Sequence, residues 1–140
     1  MKIGFIGLGN VGGKLASSLL RNKFDLTVRD LEKKLTNDFK NRGAKIASSP
    51  KELAEQTDLI ITCLPSPKIC AEVMESKEGV INGLSKNKIW LEMSTTDESE
   101  VKRLGKLVSN KEAIPLDGPV SGGCHRAETG NIAIFVGGER

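Results

Sequence analysis

Apolar residues recur along the chain in two spacings that alternate. Compact runs at residues 2–6 (KIGFI), 26–29 (LTVR), 44–47 (AKIA), 58–64 (DLIITCL) and 89–93 (IWLEM) read as strands. Brief apolar runs bounded by turn residues fit strands better than helices. Between them, Val11, Leu15 and Leu19, then Leu31, Leu35 and Phe39, then Val101, Leu104 and Val108 recur at three- and four-residue intervals. That spacing places each set on one helix face. Ile69, Cys70, Val73 and Met74 predict a further inward face.

Start signals agree with these periods. Ser49 is placed to cap a helix, Pro50 sits where its missing N–H costs nothing, and Glu52 completes a capping box. Ser66 with Pro67 opens the next helix, and residues 97–100 (DESE) open another. The hydroxyl of Thr96 reads as a cap for that helix. Residues 113–116 and 132–136 complete the strands, with the glycine-rich stretch 116–130 (LDGPVSGGCHRAETG) read as a loop between them. The run at 58–64 is apolar throughout, as expected for a central parallel strand buried on both faces. Strands alternating with helices over short connections predict a doubly wound, mostly parallel α/β sheet, covered by helices on both faces. No repeat, linker or low-complexity tract divides the 140 residues, and the length suits one domain.

Chemistry enters at the first turn. Gly7, Gly9 and Gly12 form G-x-G-x-x-G directly after the first strand and at the opening of the first helix. The first glycine suits a tight turn, the second a close approach of backbone to a pyrophosphate, the third close packing of helix on strand. The helix N-terminus adds free N–H groups and partial positive charge. Asp30 lies 18 residues past Gly12, at the end of the second strand. A carboxylate there accepts ribose hydroxyls and repels a 2′-phosphate, which favours NAD; Arg29 beside it leaves NADP open. Leu64, Pro65, Ser94, Thr95 and Thr96 follow strands four and five, where open parallel sheets bind ligands; Leu64 and Pro65 are placed to wall the adenosine side, and the hydroxyls to reach the nicotinamide ribose or its amide.

Composition narrows the class. Hydrophobic content of 38%, charged content of 28% and a net charge of +3 describe an ordinary globular chain. Basic residues are scattered and aromatics make up 4%, a poor basis for stacking nucleic-acid bases. The longest apolar run is far below the roughly 20 residues of a membrane helix. Cys63, Cys70 and Cys124 have neither disulfide-framework nor zinc-site spacing, so no metal is expected and a reducing, cytoplasmic setting is.

The segments GFIGLGNVG, CLPS, LEMSTTD and LDGPVSGGCHRAETGN resemble, in order and approximate spacing, the β-hydroxyacid dehydrogenase family. The resemblance covers essentially the whole chain and implies a Rossmann-type domain that binds a nicotinamide dinucleotide. It implies that the turn Gly7, Leu8, Gly9, Asn10, Val11 and Gly12 holds the pyrophosphate and that Asp30 holds the ribose. It further implies that Leu64 and Pro65 touch the cofactor, that Thr95 lies near the nicotinamide side, and that Ser121, Gly122 and Gly123 hold a substrate carboxylate. The implied substrate is a small 3-hydroxy acid or the corresponding aldehyde acid.

Two departures stand out. Gly118 replaces the family's alanine, and Arg126 precedes Ala127 where the family carries glycine. Arg126 is either a second anionic contact or a solvent-facing charge. The resemblance also implies an all-helical domain, carrying the acid/base lysine and an oligomer interface, beyond these 140 residues. No lysine here matches the catalytic one, so no catalytic residue is assigned. The chain is expected to bind dinucleotide and turn over little. A non-catalytic dinucleotide-binding or sensing module, and imine reduction on the same scaffold, remain open. His125, Cys124 and Trp90 read as a loop residue, an unactivated thiol and a packing residue.

Overall fold

The structure, a computed structural model, describes residues 1–138. Six strands, β1 (Lys2–Ile6), β2 (Asp25–Arg29), β3 (Lys45–Ile46), β4 (Leu59–Thr62), β5 (Ile89–Glu92) and β6 (Ile114–Asp117), form one sheet in the order β3-β2-β1-β4-β5-β6. Every neighbouring pair is parallel. The chain steps outward from β1 to β3, returns, and builds away on the other side from β4. Strand order therefore reverses between β1 and β4, and the first turn opens into that crevice.

Side chains alternate between two apolar layers, as the two-residue period of a strand demands. On one face Ile60, Trp90, Leu53, Met74, Leu104 and Val108 pack together, under α3 (Pro50–Gln56), α4 (Pro67–Glu75) and α5 (Glu98–Ser109). On the other, Phe5, Val28, Ile61, Leu15, Phe39 and Ala127 pack under α1 (Asn10–Arg21), α2 (Lys33–Asn41) and α6 (Gly123–Thr129). Ile60 and Ile61 are adjacent in sequence and belong to opposite layers. This is the doubly wound Rossmann-type arrangement. Among the described residues, no helix is long and apolar enough to cross a membrane.

Several local expectations change. Leu31 is 88% exposed and precedes α2, which begins only at Lys33; the four-residue spacing extends one turn beyond the helix. Ile69 is exposed rather than inward, leaving Cys70 and Met74 to anchor α4. Glu52 reaches Ser48, through both its N–H and its hydroxyl, while Ser49 accepts the Glu52 N–H at 3.1 Å. Asp97, not Thr96, caps α5, accepting the N–H groups of Ser99 and Glu100. An unforeseen 3-10 turn, Val80–Gly83, packs so closely on α3 that a Cβ at Gly83 would stand 2.2 Å from the Lys51 carbonyl oxygen.

The last strands also differ. The expected strand at 132–136 is β8 (Ala133–Ile134), and it pairs antiparallel with β7 (Val120–Ser121) outside the main sheet. Between them lies α6 rather than a loop. Gly122 and Gly123 at its start have φ of +130° and +73°, and Gly130 closes it in the left-handed region at +78°. Ala127 is fully buried against α1, and Lys14 pairs with Glu128 at 3.2 Å.

Ser49→Ala and Ser66→Ala each remove the side-chain acceptor of a helix N-terminus and are expected to cost about 1 kcal/mol of stability. Urea unfolding measures this; wild-type midpoints would show that neither cap contributes.

Candidate functional site

A cleft of about 1040 Å³ runs across the carboxyl ends of β2, β1, β4 and β5. Its floor is the turn after β1. Gly7 has φ +99° and donates its N–H to the Arg29 carbonyl at 3.1 Å, while a Cβ there would stand 2.1 Å from the Cys63 carbonyl oxygen. A Cβ at Gly12 would stand 2.0 Å from the Gly7 carbonyl oxygen. Both glycines are required because backbone occupies the space on the side where a methyl group would go.

Gly9 differs. Nothing lies within 4 Å of a Cβ built on it, and it precedes α1 without a side-chain cap. The starts of α3, α4 and α5 are each satisfied by a serine or aspartate, whereas those of α2 and α6, like that of α1, have no side-chain cap. The first turn of α1 has no such partner and no acidic residue, so its free N–H groups and positive dipole end face the cleft. That end suits a phosphate.

At the β2 end, both oxygens of Asp30 accept backbone N–H groups, Oδ2 from Leu8 and Oδ1 from Glu32, each at 2.8 Å. A carboxylate has about four lone-pair sites, so acceptor capacity remains for ribose hydroxyls. Arg29, Leu31, Glu32 and Leu35 line the same end. Leu8 does not enter the cleft: its side chain is buried in the α1 layer and its amide orients Asp30. Exposed Leu31 belongs to this wall, which explains an apolar side chain outside the helix face.

Leu64 and Pro65 line the middle, with Ile69, Glu72 and Val73 from α4 and Ser76 just after it, and Met93, Ser94, Thr95 and Val120 line the β5 end. The structure thus brings Gly7, Gly9, Asn10, Val11, Gly12, Asp30, Leu64, Pro65 and Thr95 to one cleft. Ser121, Gly122 and Gly123 are exposed just beyond Val120 and do not line it. Arg126 folds back over this turn, its Cδ 2.8 Å from where a Gly122 Cβ would stand. Cys63 also lines the cleft; burial first, and then the charge of Glu92, push its thiol up to about 11, so it presents a neutral wall. Among the described residues, no group of His, Cys, Asp and Glu is placed to hold a metal ion.

Beneath the β4 and β5 ends lies a feature that sequence reasoning missed. Glu92 is fully buried and accepts hydrogen bonds from the Ser94 N–H (2.6 Å), the Thr62 hydroxyl (2.9 Å) and the Cys70 thiol (2.8 Å). Ser94 Oγ in turn accepts the Leu64 N–H at 2.7 Å, and Thr62 Oγ1 accepts the indole N–H of Trp90 at 3.0 Å. Trp90 is therefore a network member as well as packing. An acid within a strand flanked by Trp90, Leu91 and Met93 was the available signal.

The chain matches, over residues 2–140, the family described as the NAD binding domain of 6-phosphogluconate dehydrogenase. It is 40% identical over 136 residues to the mitochondrial 3-hydroxyisobutyrate dehydrogenase of Mus musculus, covering 97% of this chain and 41% of that protein. The chain thus spans about two fifths of the length of that relative. Two solved structures share the fold. The 3-hydroxyisobutyrate dehydrogenase of Mycobacterium tuberculosis with L-serine has a TM-score of 0.91 at 24% identity, covering 99% of this chain and 46% of that one. Psf3 in complex with NADP+ and 2-OPP has a TM-score of 0.93 at 23% identity, covering 98% and 49%.

The two glycines of the turn are separable. Gly12→Ala forces a methyl group onto the Gly7 carbonyl and is expected to lower stability by about 1–3 kcal/mol. Gly9→Ala meets open space and is expected to stay within about 0.5 kcal/mol of wild type, while projecting a methyl group into the cleft and weakening nucleotide binding. Paired thermal unfolding and nucleotide titration test this; equal destabilisation by both would refute the distinction.

Proposed function

The chain belongs to the family described as the NAD binding domain of 6-phosphogluconate dehydrogenase, and from that membership we propose that it is the cofactor-binding half of an NAD-dependent 3-hydroxyacid dehydrogenase. The observation that carries this reading is the uncapped start of α1, set beside Gly9 and facing Asp30 across one cleft. The amides of Gly9, Asn10 and Val11 hold the pyrophosphate, and Asp30, fixed by Leu8 and Glu32, receives the adenosine ribose hydroxyls. Leu64 and Pro65, expected from the sequence to wall the adenosine side, lie across β1 from Asp30, and in our reading they border the nicotinamide half together with Thr95. The nicotinamide, when bound, supplies the hydride chemistry.

Cofactor choice follows from charge. A 2′-phosphate at the β2 end meets the carboxylates of Asp30 and Glu32, against the single guanidinium of Arg29. We therefore read NAD as preferred over NADP, although Psf3, of the same fold, was solved with NADP+. The substrate in our reading is a small anionic 3-hydroxy acid or aldehyde acid. Its carboxylate is held at Ser121, Gly122 and Gly123, where two exposed glycines take positive φ, a backbone form suited to cradling an anion. The similarity to a 3-hydroxyisobutyrate dehydrogenase supports that class.

We read residues 1–140 as a dinucleotide-binding domain that turns over little alone. By the same reading, a helical domain supplies the acid/base group, and the whole protein is a homo-oligomer without nucleic-acid or membrane partners. Our reading of the compartment is the cytoplasm; the mouse relative is named as mitochondrial, and cell fractionation distinguishes the two.

Calorimetric titration tests the cofactor assignment. NAD is expected to bind at least about tenfold more tightly than NADP, which is about 1.4 kcal/mol, and Asp30→Asn is expected to narrow that gap. Tighter binding of NADP would overturn the role given to Asp30, and binding of neither would overturn the dinucleotide reading.

A further inference from the structure

Glu92 has no lysine or arginine within ion-pair distance among the described residues; three neutral donors hold it instead. A carboxylate buried without a cation is costly, and the same volume of hydrocarbon is often no worse for stability. Burial and the neighbouring Glu92 push the Cys70 thiol well up, so it stays an S–H donor. What distinguishes the arrangement is where its hydrogen bonds lead. Oε1 takes the Ser94 N–H in the turn after β5, and Ser94 Oγ takes the Leu64 N–H in the turn after β4. Leu64 and Ser94 both line the cleft, on the side of β1 away from Asp30. One buried carboxylate thus links the two turns that close the far half of the site.

We infer that Glu92 is a positioning residue for dinucleotide binding, holding Ser94 and, through it, the Leu64 amide in the register that receives the nicotinamide half. The inference rests on the dinucleotide reading above. Cys70 meets the same carboxylate from α4, on Oε2, and lies outside the Ser94–Leu64 path. It therefore separates positioning from general support of the fold.

Two ligands and three variants test this in the whole chain. ADP has no nicotinamide half and depends on the β1 turn and Asp30, whereas NAD extends to the β5 end. Glu92→Leu, which removes both carboxylate acceptors, and Ser94→Ala, which removes only the acceptor of the Leu64 N–H, are expected to weaken NAD about tenfold and ADP by less than about threefold. Cys70→Ala is expected to leave the affinity for both within about twofold, whatever it does to the unfolding midpoint. Equal losses for NAD and ADP in Ser94→Ala, or wild-type NAD affinity in that variant or in a folded Glu92→Leu, would overturn the inference, the Ser94→Ala outcomes also where Glu92→Leu does not fold. Wild-type protein that binds neither ligand would overturn the dinucleotide reading and this inference together; selective failure in the variants overturns this one alone.

Discussion

The rest of the structure depends on the space between the carboxyl ends of β1, β2 and β4. The chain leaves β1 at Gly7 with its N–H bound to the Arg29 carbonyl of β2 and the Cys63 carbonyl 2.1 Å from where a Cβ would be. It then enters α1 with Gly12 against the Gly7 carbonyl. This wedging brings the start of α1 directly over the point where strand order reverses. A bulkier turn would push α1 outward, and the free N–H groups would no longer face Asp30 across the crevice. The parallel order of the sheet determines where the cleft is, and two absent side chains determine whether it is usable.

Around that turn, the two halves of the cleft are built by different means. At the β2 end the backbone itself orients the charged group, because the amides of Leu8 and Glu32 each take one oxygen of Asp30. At the β5 end a buried side chain orients the backbone, because Glu92 holds Ser94 and Ser94 holds Leu64. α6 joins the assembly through Ala127 and the Lys14–Glu128 pair, so the glycine turn at Ser121, Gly122 and Gly123 is tied to the same helix whose uncapped start opens on the cleft. The turn after β1 and the turn before α6 thus share α1 as a common support.

What was legible in the sequence was what neighbouring residues decide. Gly7, Gly9, Gly12 and Asp30 lie in one β-α-β unit, and their spacing carries the geometry. Ser49, Ser66 and the acidic start of α5 were local too, though Asp97 rather than Thr96 holds the cap. Periodicity placed Leu31 on a helix because spacing does not mark where a helix begins; cleft lining, not helix packing, accounts for that leucine. Residues 123–129 read as a loop because their glycines suggest freedom, whereas in the fold Gly122 and Gly123 turn the chain into a short helix that buries Ala127. The Glu92 network was not legible, because residues 62, 70, 92 and 94 meet only once β4 and β5 are adjacent and α4 covers them.

The most direct measurement is amide chemical-shift mapping of the isotope-labelled chain during titration with NAD. The largest shifts should fall on Gly9, Asn10 and Val11, on Leu8 beside Asp30, and on Leu64, Ser94 and Thr95, with little change along the outer faces of α2 and α5. Shifts concentrated in the groove between α5 and β6, or absent from the first turn of α1, would contradict the assignment of this cleft as the dinucleotide site.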